Sequence, residues 1–284
     1  MKIEQIKQTI KNGGYHLPEH WVIDWLLEVL AKPNSFLITD ATYELTKEEL
    51  IAFNTGIDKM QSGIPLAQLI GKQAFWSLEF MVNEHTLIPR PDTEVLVETV
   101  LDWIKPHRFV SPAKLLDLGT GTGCIAISLG HEFAKAKSTS SNWQLTAVDL
   151  SNQALAVAKK NAQLNNVSNV EFVHSSWYNA LSTEQKYHVI VSNPPYIDAS
   201  DAHLTKLKAE PITALVADNK GLADIEHIVR FAPSYLHNGG LLAIEHGHNQ
   251  AESVQAIFNA NGFKQVKTIK DYGGNDRITT GVLE

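Results

Sequence analysis

Residues 114–123 read KLLDLGTGTG and carry the most informative pattern for the fold. A short apolar run leads into Gly119, Gly121 and Gly123 at alternate positions, and an apolar stretch with helical spacing follows. This order predicts a buried strand, a tight turn and a helix, because bare glycine backbone and a helix N-terminus both suit close approach by a ligand. A dinucleotide-binding fingerprint would need its third glycine three positions after the second, where the chain has Cys124. The loop therefore argues against a nicotinamide dinucleotide.

Beyond Pro91, short apolar runs alternate with amphipathic ones, which is the pattern of a parallel sheet covered by helices. The strands are predicted at residues 115–118, 145–148, 170–173, 189–191 and 241–244, with two later β-like runs at 264–269 and 277–282. The helices are predicted at residues 124–135, 153–164, 222–235 and 250–261. Residues 138–142 are predicted to form a short polar loop. The expected fold class is α/β, a Rossmann-like, mostly parallel sheet with helices on both faces.

Residues 1–71 differ from the rest, because their apolar side chains recur at helical spacing and predict a small all-helical domain. Thr46, with Glu49 three residues later, has the spacing of a capping box at a helix start. Residues 74–82, AFWSLEFMV, are aromatic and β-prone and predict a β-hairpin between two domains. The chain is therefore divided into a helical domain (1–72), a β-hairpin linker (73–90) and an α/β domain (91–284).

Composition narrows the class of protein. The 284 residues carry a formal net charge of −7 at pH 7, which does not favour binding to duplex phosphates. Cys124 is the single cysteine, so an internal disulfide cannot form and a cytoplasmic location is expected. The most apolar early stretch, residues 21–30, is broken by Asp24 and Glu28 and is too short to span a bilayer. Neither membrane association nor sequence-specific nucleic-acid binding is expected.

Two further residues follow predicted strands on the same edge of the sheet. Asp149 ends the run QLTAVDL, 26 residues beyond Gly123, and in a βαβ unit it would lie beside the glycine loop, where a carboxylate accepts hydrogens from ribose hydroxyls. Alternatively, Asp149 caps the helix that starts near Ser151, and both roles are compatible. Trp177 follows the third strand and is placed to stack on an adenine ring, with a buried core position as the alternative.

The sharpest motif is Asn193-Pro194-Pro195-Tyr196, directly after the fourth strand. Two prolines fix the backbone, so the Pro194 carbonyl can point rigidly into a cleft, and the Asn193 amide supplies a second acceptor oxygen. Two acceptors that hold both N–H groups of a planar nitrogen favour its lone-pair-localised form and aim it at an electrophile. Tyr196 can pack against the planar group. The motif therefore predicts chemistry on an amide or aniline-like nitrogen.

The GxGxG loop, with Asp117 before it, and the NPPY loop resemble those of class I S-adenosylmethionine-dependent methyltransferases that modify planar nitrogens. More narrowly, the chain resembles the peptide chain release factor glutamine methyltransferase family. The likeness extends over nearly the whole chain and includes LIPRPDTE at residues 87–94, the pair Phe75-Trp76, EPITAL, GGLLAIEHG and DYGGNDR. It implies N5-methylation of the glutamine in the GGQ tripeptide of release factors, with S-adenosyl-L-methionine as cofactor, S-adenosyl-L-homocysteine as product and no metal.

The resemblance also implies the residues of the site. Asn193, Pro194, Pro195 and Tyr196 would hold the substrate glutamine, and of these Asn193, Pro194 and Tyr196 would be catalytic. The residues implied to contact the cofactor are Gly119, Thr120, Gly121, Thr122, Gly123, Asp149, Trp177 and Asn193. Ser176 stands where many relatives have an acidic residue before the aromatic that covers adenine, so a polar contact to the adenine amino group is less expected. The helical domain is hypothesised to grip the release factor.

Two segments have competing interpretations. At residues 89–92, PRPD, a helix start capped by Asp92 or Thr93 competes with a contact to substrate. Near the end of the fifth strand, Glu245, His246 and His248 have side chains that bind metals, but a solvated or hydrogen-bonded strand end is favoured.

The alternative enzyme is a DNA adenine-N6 methyltransferase, because the exocyclic nitrogen of adenine poses the same delocalisation problem. The acidic net charge, the missing basic target-recognition segment and the LIPRPDTE block argue against it. A non-catalytic protein with the same fold is disfavoured, since the glycine loop and NPPY are both intact.

Overall fold

The computed structural model describes residues 1–107, 109, 112–135 and 142–284. The chain forms two compact units: Met1–Gly71 with Lys206–Ala209, and Lys72–Thr205 with Glu210–Glu284. The predicted polar loop at 138–142 lies, except for Asn142, outside the described residues. No helix in the described ranges is long and apolar enough to cross a membrane.

The first unit is helical. The Glu49 N–H donates to Thr46 Oγ1 at 3.2 Å and the Thr46 N–H to Glu49 Oε2 at 2.8 Å, which confirms the predicted capping box. The Trp25 indole donates to the Phe53 carbonyl oxygen at 3.0 Å, and a Cβ on Gly56 would lie 2.1 Å from that indole ring. Gly56 therefore permits close helix packing. The helices are α1 (Ile3–Lys11), α2 (Glu19–Leu30), α3 (Phe36–Thr39), α4 (Lys47–Gln61) and α5 (Leu66–Ile70).

An antiparallel hairpin opens the second unit, with strands β1 (Lys72–Phe75) and β2 (Leu78–Met81). The rings of Phe75 and Phe80 meet edge to face, 6.0 Å apart, and are buried in the core of this unit. The Asn161 side chain bonds both backbone groups of Met81, at 2.7 and 3.1 Å. The predicted hairpin is thus present and is built into the core of the second unit.

A seven-stranded sheet forms the centre of the second unit and confirms the predicted α/β class. In the order β5-β4-β3-β6-β7-β9-β8, the first five strands are parallel and β9 runs antiparallel to both of its neighbours. All seven predicted strands are present, and each is longer than predicted. They are β3 (Ala113–Leu118), β4 (Trp143–Asp149), β5 (Val170–His174), β6 (Tyr187–Ser192), β7 (Leu236–Glu245), β8 (Phe263–Lys270) and β9 (Asp276–Leu283).

Helices pack on both faces of this sheet, with α6 and α7 on one face and α10 and α11 on the other. Their bounds are α6 (Glu94–Ile104), α7 (Cys124–Lys135), α8 (Asn152–Leu164), the one-turn α9 (Asp218–Gly221), α10 (Ala223–Phe231) and α11 (Ala251–Ala260). The single helix predicted at 222–235 is too long. α10 ends at Phe231 and is followed by a 3-10 turn, Ala232–Ser234, because Pro233 lacks an N–H and its ring crowds the preceding helical turn.

Candidate active site

A cavity of about 540 Å³ lies at the carboxyl edge of the parallel strands. The strands β3, β4, β5 and β6 all end beside it, and their last or next residues Gly119, Asp149, Ser175 and Asn193 line the wall. The order of the strands along the chain reverses between β3 and β6. Doubly wound sheets bind their ligands at the carboxyl ends of the strands beside such a reversal. The sheet therefore brings the glycine loop, Asp149 and the start of the NPPY loop to one place.

The glycine loop has a backbone that only glycine adopts readily. Gly119, Gly121 and Gly123 have φ angles of +74°, +54° and +83°. The N–H groups of Gly119 and Thr120 both donate to the Val148 carbonyl oxygen at 2.9 Å, which ties the loop to β4. The loop is thus a fixed turn, and its first four residues, Gly119 to Thr122, line the cavity, whereas Gly123 does not.

Asp117 anchors the loop from inside the sheet. Its carboxyl is buried, and Thr120 Oγ1 donates to Oδ2 at 2.6 Å. Burial raises the pKa of Asp117 to about 7, although the Thr120 hydroxyl and the Ala126 N–H lower it. Thr120 and Thr122 line the cavity, with little of either exposed. Thr120 and Thr122 therefore line the cavity, while most of each residue is packed inside the protein.

Asp149 is held at the end of β4 by two backbone donors. The Ser151 N–H donates to Oδ1 and the Gly121 N–H to Oδ2, both at 2.8 Å. Burial raises the pKa of Asp149, and these two donors lower it. The cap of α8 is Ser151 instead, whose Oγ accepts the Ala154 N–H at 3.1 Å. Each carboxylate oxygen has a second lone pair, so Asp149 retains acceptor capacity for a ligand.

Trp177 is half-buried and belongs both to the core packing and to the cavity wall. Its backbone is left-handed, with a φ of +49°. A Cβ on Gly119 would lie 3.3 Å from the ring, so Gly119 leaves the indole room to lie against the loop. Burial raises the pKa of the neighbouring Asp224, and its hydrogen bond with the Trp177 indole lowers it. Ser176 and Asp224 also line the cavity, so this wall keeps a carboxylate although Ser176 is not acidic.

Asn193 and Pro195 are the NPPY residues that line the cavity. Asn193 Nδ2 donates to Thr93 Oγ1 at 3.2 Å, which turns the amide nitrogen toward the segment before α6. Pro194 is buried and is not among the residues that line the wall.

Tyr196 is not among the residues that line the cavity. Its hydroxyl donates to Glu245 Oε1 at 3.2 Å, and burial and the Glu245 charge raise the pKa of Tyr196 far above its ordinary value. The Gln250 side chain donates to the Tyr196 carbonyl oxygen at 3.0 Å. The end of the NPPY loop is therefore fixed by residues at and beyond the end of β7.

Residues 89–92 lead into a helix start, as one of the two interpretations expected: Pro91 opens a 3-10 turn, and Thr93 stands at the N-cap position of α6. The expected capping by the side chain of Asp92 or Thr93 is wrong. Neither side chain caps the 3-10 turn Pro91–Thr93 or α6. Thr93 accepts the Asn193 amide instead, and Asp92 Oδ2 lies 3.4 Å from the guanidinium of Arg277. Tertiary partners compete successfully for both side chains, and these partners lie more than 90 residues away in the chain.

Glu210 holds the segment LIPRPDTE. Its Oε2 accepts the Ile88 N–H at 2.9 Å, and its Oε1 forms an ion pair with Arg90. Glu210 is the first residue of EPITAL and is itself buried. LIPRPDTE and EPITAL, two separate motifs of the family resemblance, are therefore in direct contact in the fold.

The end of β7 is hydrogen-bonded, as the favoured interpretation predicted. His246 Nε2 lies 2.8 Å from Thr279 Oγ1, and His246 Nδ1 lies 2.9 Å from the Gly247 carbonyl oxygen. Within the described part of the chain, no group of three or more His, Cys, Asp or Glu residues could hold a metal ion.

Thr93 and Glu245 contact the NPPY loop, but the sequence analysis assigned neither to it. The available signal was strand order: Glu245 ends the strand beside the one that leads into Asn193, and a carboxylate at that position reaches the same edge of the sheet. Thr93 had no such signal, because its contact with Asn193 joins residues 100 apart.

Known proteins resemble this chain both in sequence and in fold. The family model described as methyltransferase small domain matches residues 92–274. The chain is 43% identical to the release factor glutamine methyltransferase of Aliivibrio fischeri, over 96% of this chain and 93% of that protein. It is 42% identical to the protein of the same name from Vibrio cholerae, with the same coverage of both chains.

Among solved structures, the Thermus thermophilus 16S rRNA N2 G1207 methyltransferase in complex with AdoMet and guanosine is similar in fold, with a TM-score of 0.53 and 17% identity. The match covers 75% of this chain and 50% of that one. The fold and the curated relatives agree, and the chain belongs to the release factor glutamine methyltransferase family.

Proposed function

We propose that the protein transfers a methyl group from S-adenosyl-L-methionine to the side-chain amide nitrogen of a glutamine in a peptide chain release factor. The names of its relatives support this reaction, and the family resemblance points to the glutamine of the GGQ tripeptide. The observation that carries the proposal is the Asn193 amide on the cavity wall. Because its nitrogen is bound to Thr93 Oγ1, its oxygen is the acceptor available to a substrate N–H.

The residues of the cavity fit S-adenosyl-L-methionine. Asp149 is held by two backbone donors and can accept from ribose hydroxyls, and Trp177 offers a half-buried ring to adenine. A Cβ on Gly121 would meet no atom within 4 Å, so the loop opens onto free space that any side chain would enter. The residues proposed to hold the cofactor are Gly119, Thr120, Gly121, Thr122, Gly123, Asp149, Trp177 and Asn193.

When bound, S-adenosyl-L-methionine supplies a methyl group on a positively charged sulfur. The chain must then activate a poor nucleophile, since the lone pair of an amide nitrogen is delocalised. In the proposed mechanism, Asn193 Oδ1 on the cavity wall accepts one N–H group of the substrate amide. The carbonyl oxygen of Pro194, which lies behind the wall in this structure, is proposed to accept the second N–H group once the substrate has entered. They favour the form with a localised lone pair and become stronger partners as positive charge develops on nitrogen. The nitrogen would form its bond to the methyl group as the bond between methyl and sulfur breaks, and it would pass one of its two protons to solvent water.

Pro195 and Tyr196 have supporting roles in this mechanism. The two prolines restrict the backbone of the loop, so little reorganisation is needed when the substrate amide enters. Tyr196 is proposed to hold the loop through Glu245 and to pack against the planar amide with its ring.

The test of this function is mass spectrometry of a release factor, and separately of adenine-containing DNA, after incubation with the protein and S-adenosyl-L-methionine. One added methyl group on the GGQ glutamine is expected. Methylated adenine beside an unmodified release factor would instead assign the protein to the DNA adenine-N6 methyltransferases.

We further propose that the helical domain, residues 1–72, grips the release factor. The residues that line the cavity all lie in the second unit, which leaves the helices free for recognition. Ile38 and Ile51 are large apolar side chains that are 81% and 67% exposed. Ile38→Glu combined with Ile51→Glu is expected to raise KM for the intact release factor and to leave methylation of a short GGQ peptide unchanged. An equal loss with both substrates would refute this role.

A further inference from the structure

Glu210 is a buried carboxylate between LIPRPDTE and EPITAL (210–215), two segments that both line the cavity. Only 1% of its side chain is exposed, its Oε2 accepts the Ile88 N–H at 2.9 Å, and its Oε1 pairs with the guanidinium of Arg90. Arg90 lines the cavity, whereas Glu210 is not among the residues that do. Any effect of Glu210 on the reaction must therefore pass through the wall that it holds.

Prolines stiffen the backbone at both partners of this ion pair. Arg90 precedes Pro91, and Glu210 precedes Pro211. A residue before proline is restricted to extended backbone, and Arg90 has a φ of −103° and a ψ of 142°. The ion pair therefore joins two segments that have little freedom of their own to rearrange.

The same two segments are each tied to the NPPY loop. On one side, Thr93 Oγ1 accepts from Asn193 Nδ2 at 3.2 Å. On the other side, the N–H of Ile197, the residue after the motif, donates to the Leu215 carbonyl oxygen at 2.9 Å. The Ala217 N–H donates to the Ile197 carbonyl oxygen at 3.1 Å. The ion pair therefore closes a ring of contacts that runs from the start of NPPY through both wall segments to the residue after the motif.

The energetics of the pair favour a role in positioning. A buried carboxylate loses its hydration, so a buried ion pair adds little stability compared with apolar side chains of similar size. The Arg90 side chain is 36% exposed and stays partly hydrated, whereas the Glu210 side chain is almost fully removed from water. What the carboxylate supplies is direction, because it fixes the Ile88 backbone and the Arg90 side chain at the same time.

We propose that Glu210 is a positioning residue for the substrate glutamine, which locks LIPRPDTE and EPITAL together so that the cavity wall beside Asn193 keeps one shape. This inference rests on the proposed function, in which Asn193 receives the glutamine side chain. Asp149 and Trp177, proposed to hold the ribose and the adenine, follow β4 and β5 and lie outside this ring of contacts. Loss of Glu210 should therefore impair use of the substrate and leave cofactor binding intact.

The first test is Glu210→Gln, whose amide can still accept the Ile88 N–H but presents an NH₂ group or an uncharged oxygen to Arg90. We expect kcat/KM for the release factor to fall about 10- to 100-fold, the size of one lost hydrogen bond to a charged group. A short GGQ peptide should show the same fall, because the affected wall belongs to the cavity. The dissociation constant of S-adenosyl-L-homocysteine, measured by calorimetry, should stay unchanged.

The matched control is Glu79→Gln, which breaks the exposed ion pair with Lys72 at 3.0 Å and should keep both values. A normal kcat/KM in Glu210→Gln would overturn the proposal. So would a dissociation constant for S-adenosyl-L-homocysteine that rises as much as kcat/KM falls, since a general loss of structure affects both ligands.

A double-mutant cycle tests whether Glu210 acts through Arg90. The cycle compares Glu210→Gln, Arg90→Gln and the double variant. If the two residues act as a pair, the double variant should lose no more kcat/KM than the more damaging single variant. Losses that multiply would refute the path through Arg90.

Glu210→Asp keeps the charge in case the glutamine variant does not fold, which urea denaturation reveals. The aspartate is one methylene shorter and cannot reach both the Ile88 N–H and Arg90. It should show the same pattern in smaller degree, a lowered kcat/KM with unchanged binding of S-adenosyl-L-homocysteine, and a normal kcat/KM would contradict the role of Glu210. These outcomes are distinct from failure of the proposed function, in which the wild type itself would leave the release factor unmethylated.

Discussion

Asn193 is fixed in the site both through its backbone and through its side chain. The backbone enters from β6, and the side-chain nitrogen is bound by Thr93 Oγ1 at 3.2 Å. The Asn193 oxygen is thereby pre-oriented, which matters because a preorganised acceptor costs no rearrangement during the reaction. Substitutions of residues in the cavity wall should therefore separate activation of the substrate nitrogen from binding of the cofactor.

Asn193→Ala removes the proposed acceptor and should lower kcat on the order of 10²- to 10³-fold, as loss of one preorganised transition-state partner does. Single-turnover methylation of a release factor measures this step without product release. Binding of S-adenosyl-L-homocysteine should be much less affected than turnover. A near-normal rate would contradict the mechanism.

Asp149→Asn tests the cofactor side of the cavity. The amide keeps one acceptor oxygen but turns an NH₂ group toward one of the two backbone donors, Gly121 or Ser151. We expect the dissociation constant for S-adenosyl-L-homocysteine to rise about 10- to 100-fold, measured by calorimetry. Asp224→Asn, at a second carboxylate that lines the cavity, serves as the matched comparison and should have the smaller effect if Asp149 binds the ribose.

At the scale of elements, local patterns predicted most of the secondary structure. α7 begins where it was predicted, because Gly123 has a positive φ that stops a helix from starting earlier. The capping box at Thr46 formed because both of its bonds are local. Prediction failed at Asp92 and Thr93, whose local capping pattern lost to the long-range partners Arg277 and Asn193.

Gly56 carries a prediction about helix packing that no local pattern contains. Gly56→Ala would push a methyl group into the Trp25 indole, at 2.1 Å from the ring, and should lower the free energy of unfolding of the helical unit by about 1 to 3 kcal/mol. Urea denaturation followed by tryptophan fluorescence measures the change. Asn54→Ala, at an exposed position of the same helix, is the control and should leave stability nearly unchanged or slightly higher. Equal stabilities for the two variants would contradict the contact.

At the scale of the whole molecule, burial of acidic groups couples stability to pH. The pKa of Glu245 is raised from 4.5 to about 7, so the stability that this carboxyl contributes is complete below about 4.5 and is lost as the pH rises through about 7. Asp117 shifts in the same direction. The buried carboxyls of Glu245 and Asp117 are therefore uncharged at low pH and become ionised inside the core as the pH rises.

Glu245→Gln removes one of these groups, and its effect on stability should depend on pH. The free energy of unfolding of the variant minus that of the wild type should rise between pH 5 and pH 8, on the order of 1 to 3 kcal/mol. Urea denaturation at both pH values measures the difference, and the contribution of Asp117 cancels because both proteins retain it. A difference that does not change with pH would mean that Glu245 titrates alike in the folded and unfolded chain.

The class of fold, the glycine loop and the family can all be predicted from the sequence, because each depends on short-range constraints. Apolar periodicity indicates strands and helices, a positive φ selects glycine, and the NPPY backbone is stiff whatever surrounds it. The tertiary structure alone decided which atoms the site residues present. Thr93 turns the Asn193 amide, Glu245 holds Tyr196, and Glu210 joins two distant motifs. Such contacts depend on distances across the sheet and on the loss of water around buried carboxyls, and neither can be read from neighbours along the chain.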